Sequence, residues 1–414
     1  MTENPQLRVC VIGAGMRFLS GISSHTLRIA NALAQSHDTS AILMRQLLPT
    51  FLYPGRQRVG ANLTQLSYDP DVRVLDGVDW YWLPSMLRAL KFLRRVHPDV
   101  VLFQWWSGTV LHSYLLLAFV ARLLGARVLI EFHEVLDPGE ANMPLISTYV
   151  RLLAPFVVRL AHGFAVHSKH DEDLLRSRYD LGQRPVTVAP VGPLLQYQAV
   201  DRKKEQRTAP ASCCNLLFFG LIRPYKGLED LIRAFNALSE SEIDNYWLTI
   251  VGETWEGWTV PATLINESRY RDRITFVNRY VSDEEVARFF AEADALVLPY
   301  HRVSASGPLH IAMSWGLPIV VTRVGGLGEA VESYEGAVLI PPEDAIALQN
   351  GLRQVAKLRG KRYGNPHSWE HTATCYQSLF DATSSSASRF IPSRFIHRVA
   401  RDSEKVELRE PSVL

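Results

Sequence analysis

Cysteine is scarce in this chain, and its four copies, Cys10, Cys213, Cys214 and Cys375, show neither C-x-x-C spacing nor a metal-ligand pattern. A disulfide scaffold and a zinc module are thereby excluded, and a reducing cytoplasm fits best. Charge of one sign is also missing: the formal net charge is +2, which gives no electrostatic reason to expect a nucleic-acid partner. Long apolar runs are absent too. The most apolar region, Val110 to Ile130, is interrupted by His112, Arg122 and Arg127, so a buried helix and strand account for it better than a bilayer crossing. No secretory leader is expected, because Arg8 is followed at once by a strand-like run and then by glycines. What remains is ordinary globular chemistry, with 47% hydrophobic and 21% charged residues over 414 positions, enough for two domains with a core each.

The stretch Asn215 to Leu238, NLLFFGLIRPYKGLEDLIRAFNAL, organises the rest. Leu216 to Gly220 reads as a strand buried on both faces, and Leu228, Leu231, Ile232 and Phe235 then fall at helical spacing. Arg223 and Lys226 stand in the loop between, just before a helix start, where free backbone N–H groups and the macrodipole favour an anion such as a diphosphate. Pro224 stiffens the turn, and Gly227 is expected to let the backbone approach a bound group. Taken alone, this loop is read more simply as a connection carrying two solvated cations.

Earlier in the chain, Arg8 to Ile12 reads as a strand, followed by a loop with Gly13, Gly15 and Gly21 and a helical stripe of Leu27, Ala30, Leu33 and Ala34. Phe18 occupies the third glycine position of the dinucleotide fingerprint, which weakens a nicotinamide-dependent reading. Further strands are expected at Asp99 to Phe103, Arg127 to Glu131, Gly163 to Val166 and Val186 to Ala189. After a polar segment, a second series follows at Trp247 to Val251, Ile274 to Val277, Ala295 to Leu298 and Pro318 to Thr322, with an S-D-E-E capping box at Ser282 to Glu285. Alternation of this kind predicts an α/β fold of two doubly wound, Rossmann-like domains facing across a cleft. The expected division is 1–195, a linker 196–214, 215–365, a helix 366–382 returning to the first domain, and a flexible tail 383–414. Ligands of such sheets sit beyond the carboxyl ends of the strands, which directs attention to the loops there.

In those loops the chain resembles glycosyltransferase family 4, the retaining, GT-B-fold glycosyl transferases group 1. The matching pieces are SGISSHTLRIANAL, EFHE, FFGLIRPYKGLEDLIRAF, a VGE turn, FVNRYVSDEEVARFFAEADALVLPY, SGPLHIAMSWGLPIVVTRVGGLGE and SWEHTATCYQSLF, in order across residues 8 to 382. The resemblance implies a hexosyltransferase-type, metal-independent enzyme with no cofactor besides its nucleotide-diphosphate sugar donor. It assigns Arg223 and Lys226 to the diphosphate and His133 to the donor sugar. Spacing alone leaves His133 equally open to a polar strand-end turn. By the same resemblance Asn278 and Arg279 lie at the nucleotide base, Gly252 and Glu253 are donor-binding, Ser304, Ser306, Gly307 and Leu309 are near sugar and phosphates, and Ser20 with Gly21 faces the donor from the first domain. Val303 and Ile311 stand where the family carries two glutamates, so Ser304, Ser306 or Glu329 is expected to take over their contacts. That departure keeps a non-catalytic nucleotide-binding protein open as an alternative, along with a sugar-nucleotide epimerase.

Other signals are weaker. Asp69 and Asp71 form a D-P-D best read as a turn, and Gln104, Trp105 and Trp106 follow a strand where aromatic faces serve an acceptor sugar or the core equally well. The segment SMLRALKFLRRVH sets Arg88, Lys91 and Arg95 along one face, either a solvated helix or a contact with anionic lipid, as a lipid-linked acceptor at the inner face of a membrane requires.

Overall fold

The structure is a computed structural model describing residues 6–16, 21–46, 66–79, 83–135, 144–198, 208–254, 258–303 and 305–384. Ser20, Ser304, most of the polar linker and the tail from 385 lie outside the described residues.

Seven strands, β1 (Arg8–Ala14), β2 (Asp38–Gln46), β3 (Arg73–Asp79), β4 (Val100–Trp105), β5 (Arg127–Phe132), β6 (Gly163–Val166) and β7 (Val186–Val188), form the first sheet in the order β3-β2-β1-β4-β5-β6-β7. Six more, β8 (Cys214–Phe219), β9 (Tyr246–Val251), β10 (Ile274–Val277), β11 (Ala295–Leu298), β12 (Ile319–Thr322) and β13 (Ala337–Ile340), form the second as β10-β9-β8-β11-β12-β13. Every pairing is parallel. Both orders reverse beside the first strand of each unit, β1 against β4 and β8 against β11, and ligand crevices form at such reversals.

The central strands explain themselves: VVLFQW of β4 and RVLIEF of β5 are buried at every position, as strands covered on both faces must be. β2, β3 and β13 are additions to the expected set. β3 carries Asp76 and Gly77 and is exposed over its first half, so an edge strand of this composition lacks a buried strand's apolar run. Asp71 N donates to Asp69 Oδ1 at 3.0 Å, so the D-P-D is a turn.

Ten helices of eight residues or more cover the sheets among the described residues: α1 (Gly21–Ala34), α2 (Leu83–Val96), α3 (Leu111–Leu123), α4 (Pro144–Leu160), α5 (Lys169–Arg178), α6 (Leu228–Asn236), α7 (Asp283–Glu292), α8 (Gly307–Ser314), α9 (Ala345–Ala356) and α10 (Trp369–Ser384). α6 buries Leu228, Leu231, Ile232 and Phe235 completely, and α7 begins with the Ser282–Glu285 capping box. α2, α3 and α4 share a core with one face of the first sheet, whereas α1 and α10 share another that contains Val9, Val11, Val100 and Leu102. α10 thus belongs to the first domain's packing although it follows the second in sequence. The Arg127 guanidinium donates to the Phe380 carbonyl, and the Trp369 indole donates to the Pro193 carbonyl at 2.8 Å.

Candidate active site

Loops at the carboxyl ends of both sheets enclose a cleft of about 390 Å³. Gly21, Trp106, His133 and Glu134 line it from the first domain, and Arg223, Ser306, Gly307 and Ile311 from the second.

The basic loop after β8 folds as its sequence dictates. Arg223 is extended, Pro224 opens a single 3₁₀ turn through Lys226, and Gly227 at φ 65° ends that turn and caps α6. Gly227 corrects one expectation: a Cβ there would lie 2.0 Å from the Pro299 carbonyl oxygen, so its close backbone approach is to β11's following loop rather than to a ligand. Gly252 has a similar duty. At φ 151° it packs where a Cβ would meet the Gly220 carbonyl oxygen at 2.0 Å, locking the two strand-end loops together. Ile222 N donates to the Glu253 carbonyl at 2.9 Å in the same lock.

Lys226 lies half-buried, its Nζ 5.3 Å from the Tyr300 ring centroid. Burial, then repulsion by Arg223, lowers its pKa to about 8, with Glu134 across the cleft pulling the other way. Two cations held together at the amino end of a helix make a site that gains from an anion.

His133 sits at the end of β5, 7% exposed, in a cluster that a linear sequence does not display. Its Nε2 lies 2.6 Å from Gln104 Oε1, and its Nδ1 lies 3.0 Å from His167 Nε2. Gln104 Nε2 donates to Glu131 Oε2 at 2.5 Å, and His25 Nε2 reaches Glu131 Oε1 at 2.7 Å. Both His133 ring nitrogens therefore face protein partners, so an expected bond from its ring to the donor sugar requires a rearrangement of this cluster. Burial favours a neutral Glu131, yet His25, then His133 and His167, hold its carboxyl well below the usual carboxylate range. Burial likewise lowers the pKa values of His133 and His167, against the pull of Glu131. Glu134, the next residue, is half-buried on the cleft lining.

His25, Glu131, His133 and His167 also offer ligand atoms within 4.8 Å of one another, which is metal-ligand spacing. Around a tetrahedral zinc, ligand atoms about 2.0–2.1 Å from the ion stand about 3.3 Å apart. The 2.7 Å and 3.0 Å contacts here are shorter, of hydrogen-bond length, and the cluster would have to open to take an ion.

The remaining candidates divide. Gly21, at the start of α1, and Gly307, at the start of α8, line the cleft with open space around the position of a Cβ. Ser306, 4% exposed, is the N-cap position of α8. Leu309 departs from expectation: its side chain is wholly in the core and its N–H donates to the Ser306 carbonyl at 3.1 Å, while Pro308 before it has no N–H. Helix α8 thus offers an anion fewer amides than a regular start provides. Glu329 departs as well. Its carboxylate accepts from Lys169 N at 2.5 Å and His170 N at 2.9 Å, so it clasps the first turn of α5 in the opposite domain, and a contact with the donor would have to share those oxygens. Asn278 is exposed and accepts from Thr254 N at 2.9 Å and Thr254 Oγ1 at 2.8 Å, holding the loop after β9. Arg279, also exposed, pairs with Glu285 at 2.6 Å. Trp105 stacks on Phe132 in the core, and Trp106 lines the cleft.

Known proteins agree with this architecture. Residues 213–357 match the family model for glycosyl transferases group 1, and residues 20–192 match that for the glycosyl transferase 4-like domain. Glycogen synthase of Mycobacterium tuberculosis is 24% identical over 392 residues, covering 87% of this chain and 91% of its own length. The 2-deoxystreptamine glucosyltransferase of Streptomyces kanamyceticus is 24% identical over 357 residues, covering 80% and 88%. HepE of Anabaena in complex with UDP-glucose superposes with a TM-score of 0.62 at 16% identity, covering 97% of this chain and 100% of that one. Sucrose-phosphate synthase from Thermosynechococcus elongatus does so with 0.60 at 17%, over 97% and 100%. Two parallel sheets facing a cleft and two adjoining family matches lead to one conclusion: the chain belongs to the glycosyl transferases group 1, family 4, with the GT-B fold.

Proposed function

We propose that this chain is a retaining glycosyltransferase that moves a sugar from a nucleoside-diphosphate donor to the hydroxyl of a carbohydrate or lipid-linked acceptor, with no metal at the diphosphate. The observation that carries this reading is the pair Arg223 and Lys226 before α6, with the Lys226 ammonium held at about 8 by burial and by its cationic neighbour. The donor's glycosidic C–O bond breaks with its electron pair going to the leaving phosphate, and the acceptor oxygen bonds to the same sugar carbon on the same face. The acceptor's hydroxyl proton passes to the leaving phosphate oxygen. Arg223 and Lys226 stabilise the negative charge that develops there, which is the work a metal does in other transferases. The UDP-glucose bound to HepE in a related fold supports a nucleotide sugar as donor class.

The test is a thermal-shift panel with nucleoside diphosphates, followed by transfer or donor-hydrolysis assays. A stabilising response to one diphosphate that disappears in Lys226→Ala, with kcat/KM lowered by on the order of a hundredfold or more, is expected. Full turnover by Lys226→Ala would sink the assignment. Val303 and Ile311 favour one rival, a nucleotide-binding protein without turnover, and tight diphosphate binding with no transfer or hydrolysis from any donor would decide for it.

A further inference from the structure

Three helices on one face of the first sheet share an unusual surface. Of the thirteen large hydrophobic side chains exposed among the described residues, eight lie on α2, α3 and α4, including Leu87, Phe119, Leu123, Leu152 and Phe156. These helices are neighbours: α3 packs against both α2 and α4, and Arg122 of α3 donates to the Leu160 carbonyl of α4 at 3.0 Å. Their sequences, LPSMLRALKFLRRV, LHSYLLLAFVARL and PLISTYVRLLAPFVVRL, contain seven arginines and lysines and no aspartate or glutamate. In a chain whose acids nearly equal its bases, 42 against 44, this face is selectively stripped of negative charge. Between α3 and α4 it also carries an apolar groove of about 490 Å³ flanked by Phe119, Phe156 and Arg159.

We propose that the outer face of α2, α3 and α4 docks on an anionic lipid bilayer. Exposed leucines and phenylalanines enter the headgroup boundary, and the arginines and lysines meet lipid phosphates. The charge pattern selects this occupant, since an apolar patch without acids suits a negative surface and repels a basic one. Among the described residues no helix is long and apolar enough to cross a membrane, so the contact is a surface one. The placement also gives the acceptor a route. α3 follows Trp106 and α4 follows the His133–Glu134 loop, so both helices begin at the cleft end of the sheet. An amphipathic acceptor whose lipid part stays in the bilayer can present its hydroxyl there; this last step rests on the transferase reading.

The full chain is tested by co-sedimentation with vesicles of phosphatidylcholine, with and without phosphatidylglycerol. Partition at least about tenfold stronger onto the anionic vesicles, weakening with added salt, is expected. Phe119→Glu with Phe156→Glu should lower it at least about tenfold while leaving the melting temperature and the nucleoside-diphosphate response unchanged. Lys91→Gln with Arg95→Gln is a second variant at exposed positions, expected to lose the preference for anionic lipid and to keep the proposal testable if the first pair folds poorly. No vesicle binding, or binding that neither pair alters, overturns the proposal. So does a wild-type dimer, seen by sedimentation equilibrium, that the phenylalanine substitutions convert to monomer without any vesicle binding. Vesicle binding without a response to any nucleoside diphosphate would leave docking intact and remove the transferase reading instead.

Discussion

At the scale of single residues, Lys226 and Gly227 are adjacent and do different work. Lys226 titrates near 8 because burial and Arg223 disfavour its charge. An incoming diphosphate needs that charge, so kcat/KM should fall as pH rises above about 8, where the free enzyme loses the proton. Lys226→Arg keeps the charge at every accessible pH, and its pH profile should be flat over that limb even if its rate is lower. Gly227 is constrained by geometry rather than chemistry. With φ 65° and the Pro299 carbonyl oxygen 2.0 Å from the position of a Cβ, Gly227→Ala adds backbone strain to a clash with main chain. A loss of roughly 2–4 kcal/mol is expected, measured by denaturant unfolding. If the variant proves as stable as the parent, the loop after β11 moves away more readily than its packing implies.

At the scale of elements, the domain contact runs through helix termini. Glu329 accepts from the first two amides of α5, groups that a helix start leaves without intrahelical partners. The carboxylate faces the positive end of the α5 dipole, and the bond joins segments 160 positions apart in the chain. Glu329→Ala should therefore loosen the closed arrangement of the two domains. Small-angle scattering should register a larger radius of gyration without ligand and a return toward the parent value with a saturating nucleoside diphosphate. An unchanged radius in the ligand-free variant would show that α10 and the α7 and α8 contacts around residues 195–198 hold the domains by themselves.

For the whole molecule, half-buried His162 and buried His310, both held below the ordinary histidine range, limit stability in acid. Burial, reinforced by Arg122, holds His162 at about 4, and its Nδ1 accepts the Val128 N–H at 2.9 Å, a bond that a proton on that nitrogen would break. Burial and neighbouring histidines hold His310 at about 3. The ordinary value is 6.5, so between about 6.5 and these values the unfolded chain binds protons that the folded one refuses. Stability is present in full above 6.5 and declines as pH falls through that window. The melting temperature should drop by several degrees between pH 7 and pH 5, and His162→Gln should flatten part of the decline.

Much of this protein was legible in the chain because the relevant pattern is local. A fully apolar strand, a basic turn and an amphipathic helix follow one another within Asn215 to Leu238, so the strand, the helix and the place of Arg223 and Lys226 could be read directly. Repetition of that unit specifies two parallel sheets, since a strand reaching a parallel neighbour needs a crossover helix. Tertiary structure alone decided the rest. Leu309 and Glu329 look available in the sequence, but one is in the core and the other caps a helix in the opposite domain. Gln104, Glu131, His133 and His167 meet because β4, β5 and β6 are neighbours in the sheet, and α1 lays His25 across their ends. The acid-free face likewise assembles from helices spread over residues 83–160. Sequence determines which chemistry is on hand along each strand and turn. Only the order of strands in a sheet, set by packing between distant segments, decides which of those groups share a cleft, a cluster or a surface.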